Sequence, residues 1–229
     1  MASKVKVLSA GAVKPGLVPA LAAFQRDRGY DVAIEFATAP VIRQRLSGGQ
    51  APDIVIAPPE VLDELGQTGA AVADRVSLGL IGVGIMVRNS APVPKIASAD
   101  AFTQALLSAE SIVYNQASTG IYLDKLFDRL GIAAQLQSKT TRSVDFAAVL
   151  DHVRKSDGNE IGFGATTVII ENAGKGIEFV GPLPAELQNY TDYTAALTAN
   201  GREVDAARAL LEYFTTPAAS KIFTAAGIA

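Results

Sequence analysis

Small hydroxyl residues and glycines gather at a few points of this sequence, each between a short apolar run and an amphipathic one. The clearest is YNQASTGIY (114–122), where Ser118, Thr119 and Gly120 lead from the apolar run Ser111–Tyr114 into Leu123, Leu126, Phe127 and Leu130. SAGAVKPG (9–16) holds Gly11, Ala12 and Lys14, ATAP (37–40) holds Thr38, Ala39 and Pro40, and APPE (57–60) holds Pro58 and Glu60. TTRS (140–143) and GFGATT (162–167) add Arg142, Gly164 and Thr166. The first turn of a helix leaves backbone N–H groups unpaired and positively polarised, so small residues there suit an anion held by main-chain donors. The same residues make ordinary caps and turns, and Ser118 or Thr119 is expected to cap the helix it opens. GxxxxGK[ST] and GxGxxG are both absent, so GFGATT is not a phosphate loop.

The charged candidates are few. Arg142 stands in an uncharged stretch that reads as a loop before a helix capped by Ser143; its guanidinium there would grip a carboxylate bidentately or form a surface ion pair. Lys14 follows the first loop, within reach of a ligand or of solvent. Arg43 and Arg45 share a short helix, so at most one faces inward. The single histidine, His152, sits on the polar side of a helix carrying Phe146, Val149, Leu150 and Val153, and is expected to be solvated. One His disfavours a Ser-His-Asp triad, and the absence of Cys removes disulfides, thiolate catalysis and Cys-ligated zinc. Neither a metal nor a cofactor is expected.

The elements that must position these residues alternate. Strand-like runs at Val5–Leu8, Asp31–Phe36, Asp53–Ala57, Ser111–Tyr114, Ile161–Phe163 and Ile177–Val180 are interleaved with helices, as in a layered α/β fold with largely parallel sheets. The helices read as Pro15–Arg28, Val41–Leu46, one marked by Val61, Leu62 and Leu65 and closed by Gly66, then Ala99–Leu107, 119–130, 144–155, 203–214 and 217–225. In open α/β sheets ligands sit outside the carboxyl ends of the strands, which is where every loop above falls. LGLIGVGIMVR (78–88) and YTDYTAALT (190–198) read as two long strands suited to crossing between lobes.

The chain has 229 residues, 49% apolar content and a net charge of −3, which is ample for a core and offers no basic field for nucleic acid. No segment approaches the length of a membrane span, so no membrane insertion is expected. The start, MASKVKVLSAGAVKPG, has no apolar run of signal-peptide length; the expectation is a cytoplasmic chain, or a periplasmic one if a leader has been removed.

KVKVLSAGAV, FATAPVIRQRLSGGQAPDIVIAPPEVLDEL, STGIYLDKLFDRLG and TPAASKIFTAAGI together resemble the periplasmic molybdate-binding protein family, within the type 2 periplasmic solute-binding proteins. The resemblance covers nearly the whole length. It implies two α/β lobes, 1–82 with 194–229 and 83–193, each a mostly parallel sheet flanked by helices, joined by two hinge strands and closing over an oxyanion. It also implies an ABC transporter permease as partner if the protein is exported. The family's binding serines fall at Ala12 and Ala39, leaving Thr38 as the nearest hydroxyl, and its closing tyrosine falls near Ala165. Those losses point from molybdate or tungstate to a larger organic anion, such as a di- or tricarboxylate. Some proteins similar to this family are aconitate isomerases, which move a proton across an allylic tricarboxylate without cofactor. For that chemistry the candidates are Tyr122, Glu60, Lys14 or a ligand carboxylate assisted by Arg142. An effector domain of a transcription regulator shares the architecture, but no helix-turn-helix stands before the first strand.

Overall fold

A computed structural model describes residues 4–67, 72–199 and 201–229. The chain divides into two compact units, Met1–Ile81 with Thr191–Ala229, and Gly82–Tyr190. It passes from the first to the second within β4 (Val72–Arg88) and returns within β9 (Tyr190–Thr198), the two long strands expected from the sequence.

The first unit is built on β1 (Lys4–Ala10), β2 (Asp31–Ala37) and β3 (Ile54–Ala57), with strand order β2-β1-β3-β9. β1 runs parallel to both β2 and β3, while β9 is antiparallel to β3. Consecutive parallel strands need helical crossovers. These are α1 (Lys14–Arg28), reached through a 3-10 turn at Gly11–Val13, and α2 (Ala39–Ser47). α3 (Pro59–Gln67) follows β3. α1 buries Leu17, Ala20, Leu21 and Phe24, the spacing that keeps one helical face on the sheet, and stops at Gly29, whose φ of +74° is the left-handed conformation glycine adopts freely. α9 (Val204–Phe214) and α10 (Pro217–Ala225) complete the unit. Phe24 packs against Tyr30 and Tyr213, and Phe214 against Phe223.

The second unit has the order β4-β7-β5-β6, from β5 (Ser111–Asn115), β6 (Thr140–Ser143) and β7 (Glu160–Ala165); β8 (Ile177–Pro182) pairs with β4. β5 is parallel to β6 and β7, and β4 is antiparallel to β7 and β8. On one face lie α4 (Ala99–Ser108), α5 (Ser118–Arg129) and the short α6 (Ala133–Leu136), around Phe102, Ile112, Tyr114, Leu126, Phe127 and Phe163. α7 (Phe146–Lys155) and α8 (Thr166–Asn172) border a second cluster with Met86, Val113, Val149 and Ile169.

In the second unit the structure departs from the sequence expectations at several places. TTRS is not a loop but strand β6, at the sheet edge. GFGATT is not one either: Gly162–Ala165 belong to β7, and Thr166 opens α8. Ser143 does not cap α7; the Asp145 side chain does, accepting the Ala148 N–H at 2.9 Å. His152 is not free in solvent: its Nε2 lies 2.8 Å from the carboxylate of buried Glu160, which also accepts the Ser111 hydroxyl.

Candidate functional site

Because β1, β2 and β3 are parallel, their last residues, Ala10, Ala37 and Ala57, lie along one edge of the sheet. The N-termini of α1, α2 and α3 open from that edge. Neither α1 nor α2 carries an acid in its first turn; Glu60 does so in α3 and is exposed. Thr38 is the N-cap of α2, yet its side chain makes no capping hydrogen bond, and Pro40 stands in the first turn. Gly11 and Ala12 are half-buried in the 3-10 turn, and Ala39 and Pro58 are buried. Lys14, the first residue of α1, carries its ammonium 5.7 Å from the centre of the Phe36 ring, near the end of β2. Arg43 and Arg45 are both committed elsewhere, to Glu64 and Glu35.

The parallel strands β6, β5 and β7 give the second unit an edge of the same kind, ending in Ser143, Asn115 and Ala165. Buried Asn115 turns back on itself, its Oδ1 accepting the Ala117 N–H at 3.0 Å. Ala117, not Ser118 or Thr119, is the N-cap of α5; the two hydroxyls stand on the first turn without capping it. The first turns of α5, α7 and α8 contain no acid. Gly120 is buried where α5 meets the strand end, and a Cβ there would lie 1.8 Å from the Asn115 carbonyl oxygen. Gly164 is equally constrained, with the Phe146 ring 2.3 Å from the place of a Cβ. Thr166 is half-buried at the start of α8. Tyr122 is tied down, donating its hydroxyl to the Leu187 carbonyl at 2.6 Å.

Arg142 does not join these loops. Side chains alternate along a strand, and β6 pairs Arg142 with Tyr114 and Ser143 with Asn115. Arg142 therefore shares the face of Tyr114, toward α5 and α6, with its guanidinium 5.8 Å from the Tyr114 ring centre and 2.9 Å from the Asp124 carboxylate. Tyr114 donates its hydroxyl to the other oxygen of Asp124 at 2.7 Å. Burial first, then that hydrogen bond, push the Tyr114 phenol well above its ordinary range. Around this network lies a cavity of about 410 Å³, bordered also by Phe127, Asp128 and Gln137.

The first unit's edge thus offers main-chain donors, the Thr38 hydroxyl and Lys14, and the second unit's edge offers main-chain donors with Ser118 and Thr119. Among the described residues no cluster of His, Cys, Asp and Glu could hold a metal, and no helix is long and apolar enough to cross a membrane. Residues 5–229 match the family model described as bacterial extracellular solute-binding protein. The chain belongs to that family. It is 30% identical over 231 residues to the aconitate isomerase of a Pseudomonas species, covering 97% of this chain and 86% of that protein. The periplasmic molybdate-binding protein of Azotobacter vinelandii has the same fold, with a TM-score of 0.80 at 17% identity and 98% of each chain covered. So does the sulfate-binding protein SubI of Mycobacterium tuberculosis, with a TM-score of 0.77 at 18% identity, covering 99% of this chain and 86% of that one. The fold of this family member is therefore the type 2 periplasmic-binding fold that the resemblance implied.

Sequence reasoning passed over three residues that shape the site. Phe36 places the Lys14 ammonium; its position before a loop was the available signal. Asn115 builds the α5 cap, as an Asn closing a strand readily does. Val144, on the connection between β6 and α7, is 70% exposed, an apolar side chain offered at the same edge as the α5 N-terminus.

Proposed function

We propose that this protein binds a small organic polycarboxylate through helix N-termini that open from a strand-end edge. The observation that carries this reading is that α1, α2 and α5 have no acid in the first turn and none at the N-cap. Unpaired N–H groups without a competing carboxylate attract an anion. Alanines at positions 12 and 39 leave room where the resemblance expects hydroxyls, which favours a ligand larger than a tetrahedral oxyanion. In this reading the protein captures solute for an ABC transporter permease and works after export. Isothermal titration with trans-aconitate, propane-1,2,3-tricarboxylate, succinate and molybdate tests it. Binding of carboxylates in preference to molybdate is expected; binding of molybdate alone, or of nothing in the panel, overturns it.

A second reading rests on the 30% identity to an aconitate isomerase: a cofactor-independent isomerase of an unsaturated tricarboxylate. The reaction shifts a proton between allylic carbons, so it needs a group that takes and returns a proton beside donors that stabilise the carbanion. Tyr122 suits the first role poorly, since its hydroxyl is engaged with Leu187, and Lys14 and Glu60 are the exposed titratable groups at the first unit's edge. Incubation with trans-aconitate in D2O, followed by proton NMR, decides the matter. New cis-isomer signals establish the isomerase, and an unchanged spectrum leaves the binding role.

A further inference from the structure

We infer that the cavity beside β6 is a second binding site, for a small organic cation: a primary ammonium carried on an apolar body. The cavity lies wholly within the second unit, between the edge strand β6 and the helices α5 and α6, and does not depend on the polycarboxylate reading. Its volume of about 410 Å³ is that of a small-molecule site. The buried part of its lining is apolar and aromatic: Tyr114 and Phe127 meet edge to face with ring centres 6.0 Å apart, and Leu136 lies with them.

The charged part of the lining is unbalanced. Asp124 and Asp128 stand at positions i and i+4 of α5, so both carboxylates serve one face of the helix, and Arg142 is the third charged group. The Arg142 guanidinium lies 2.9 Å from Asp124 and over the Tyr114 ring, so its charge is matched within the protein. Asp128 has no ion pair among the described residues, which leaves the cavity one negative charge in excess. An entering anion meets that carboxylate with no cation left to answer it. An ammonium pairs with it, and an apolar body attached to the ammonium takes the walls of Phe127 and Leu136 out of water, which a bare hydrated cation does not. The face of Tyr114 is already covered by Arg142, so the ligand's charge belongs with Asp128.

The test is a proton–nitrogen correlation NMR titration of labelled protein with three probes that share one body: 2-phenylethylamine, 2-phenylethanol and 3-phenylpropionate. The amine should shift the amide signals of residues 124–142 and bind most tightly, the alcohol less so and the acid least. Asp128→Asn should weaken the amine about fivefold and the alcohol by less than about twofold. Arg142→Met removes the cavity's own cation and frees Asp124, so it should strengthen the amine by about threefold, a change of opposite sign. Both side chains are exposed, and neither substitution opens the core. Propane-1,2,3-tricarboxylate should not displace the amine, which keeps the fate of this site separate from that of the strand-end edge. An amine that binds no more tightly than the acid, that shifts signals elsewhere or none at all, that the tricarboxylate displaces, or whose affinity ignores both substitutions overturns the inference.

Discussion

Gly120 and the carbonyl of Asn115 meet so closely that a single methyl group between them would sit 1.8 Å from the oxygen. The contact seats the first turn of α5 directly on the end of β5. Gly120→Ala should therefore lower stability by at least about 2 kcal/mol, because backbone on both sides must move. Urea denaturation checks the loss. The surviving folded protein should also bind carboxylate more weakly, since the α5 N–H groups shift with the helix.

Gly79 presents the same kind of constraint in the first unit. Its φ is +123°, and a Cβ would lie 2.5 Å from the carbonyl oxygen of Ala229, whose main chain exchanges hydrogen bonds with Leu80. Gly79→Ala should cost about 1–3 kcal/mol from conformation alone and more from the clash. Thermal unfolding with and without ligand measures it.

His152 and Ser111 are the partners of the buried Glu160 carboxylate, whose second oxygen has none. Removing the imidazole leaves a buried acid dependent on one hydroxyl. His152→Ala should destabilise by about 1–3 kcal/mol, and His152→Gln, which keeps a donor, should recover part of that. Ligand affinity should change little. Glu160 opens β7 at the end away from Ala165, so this pin is distant along the strand from the edge where the ligand is proposed to sit.

The Tyr114 phenol is raised in the folded state, chiefly by burial and then by the bond to Asp124. In the unfolded chain it ionises near its ordinary value of 10.0. Between those points the unfolded state holds fewer protons than the folded one, so stability is complete below pH 10 and falls as pH rises above it. Alkaline unfolding followed by circular dichroism should show this slope, and Tyr114→Phe should flatten it at a cost of about 1 kcal/mol near neutrality. Absorbance at 295 nm should show one fewer late-titrating tyrosine in the variant than in wild type, burial holding Tyr213 above its ordinary range in both.

Arg142→Ala should separate the two places this residue was able to occupy. Its guanidinium is held by Asp124 over Tyr114, so carboxylate affinity should stay within about twofold of wild type. A tenfold loss on titration would return Arg142 to the ligand.

Most of the architecture was legible because its signals are local. LDKLFDRL repeats apolar residues at helical spacing, Gly29 ends α1 where a glycine is expected, and GLIGVGIMV is too long and apolar for anything but a strand in a chain of this pattern. The errors arose where the deciding contact is remote in sequence. TTRS has too few apolar residues to declare a strand, and becomes one by pairing with β5. TTVIIEN, seven residues given no element from the sequence beyond the loop ending at Thr167, forms a helix packed against β8. The α5 cap was assigned to the hydroxyls nearest the helix, whereas Asn115 supplies the turn from the strand behind them. Arg142 followed from the same cause: a loop residue points where its loop goes, and a strand residue points where its register sends it.

The donors at the mouth of α5 belong to the peptide backbone, with the side chains of Ser118 and Thr119 beside them and not in the capping role. A receptor of that kind is nearly silent to alanine scanning, since replacing a side chain leaves every amide in place. It also has latitude in evolution: hydroxyls can come and go around the rim, retuning which anion fits, while the seat beneath them persists as long as the helix stays where Gly120 lets it rest.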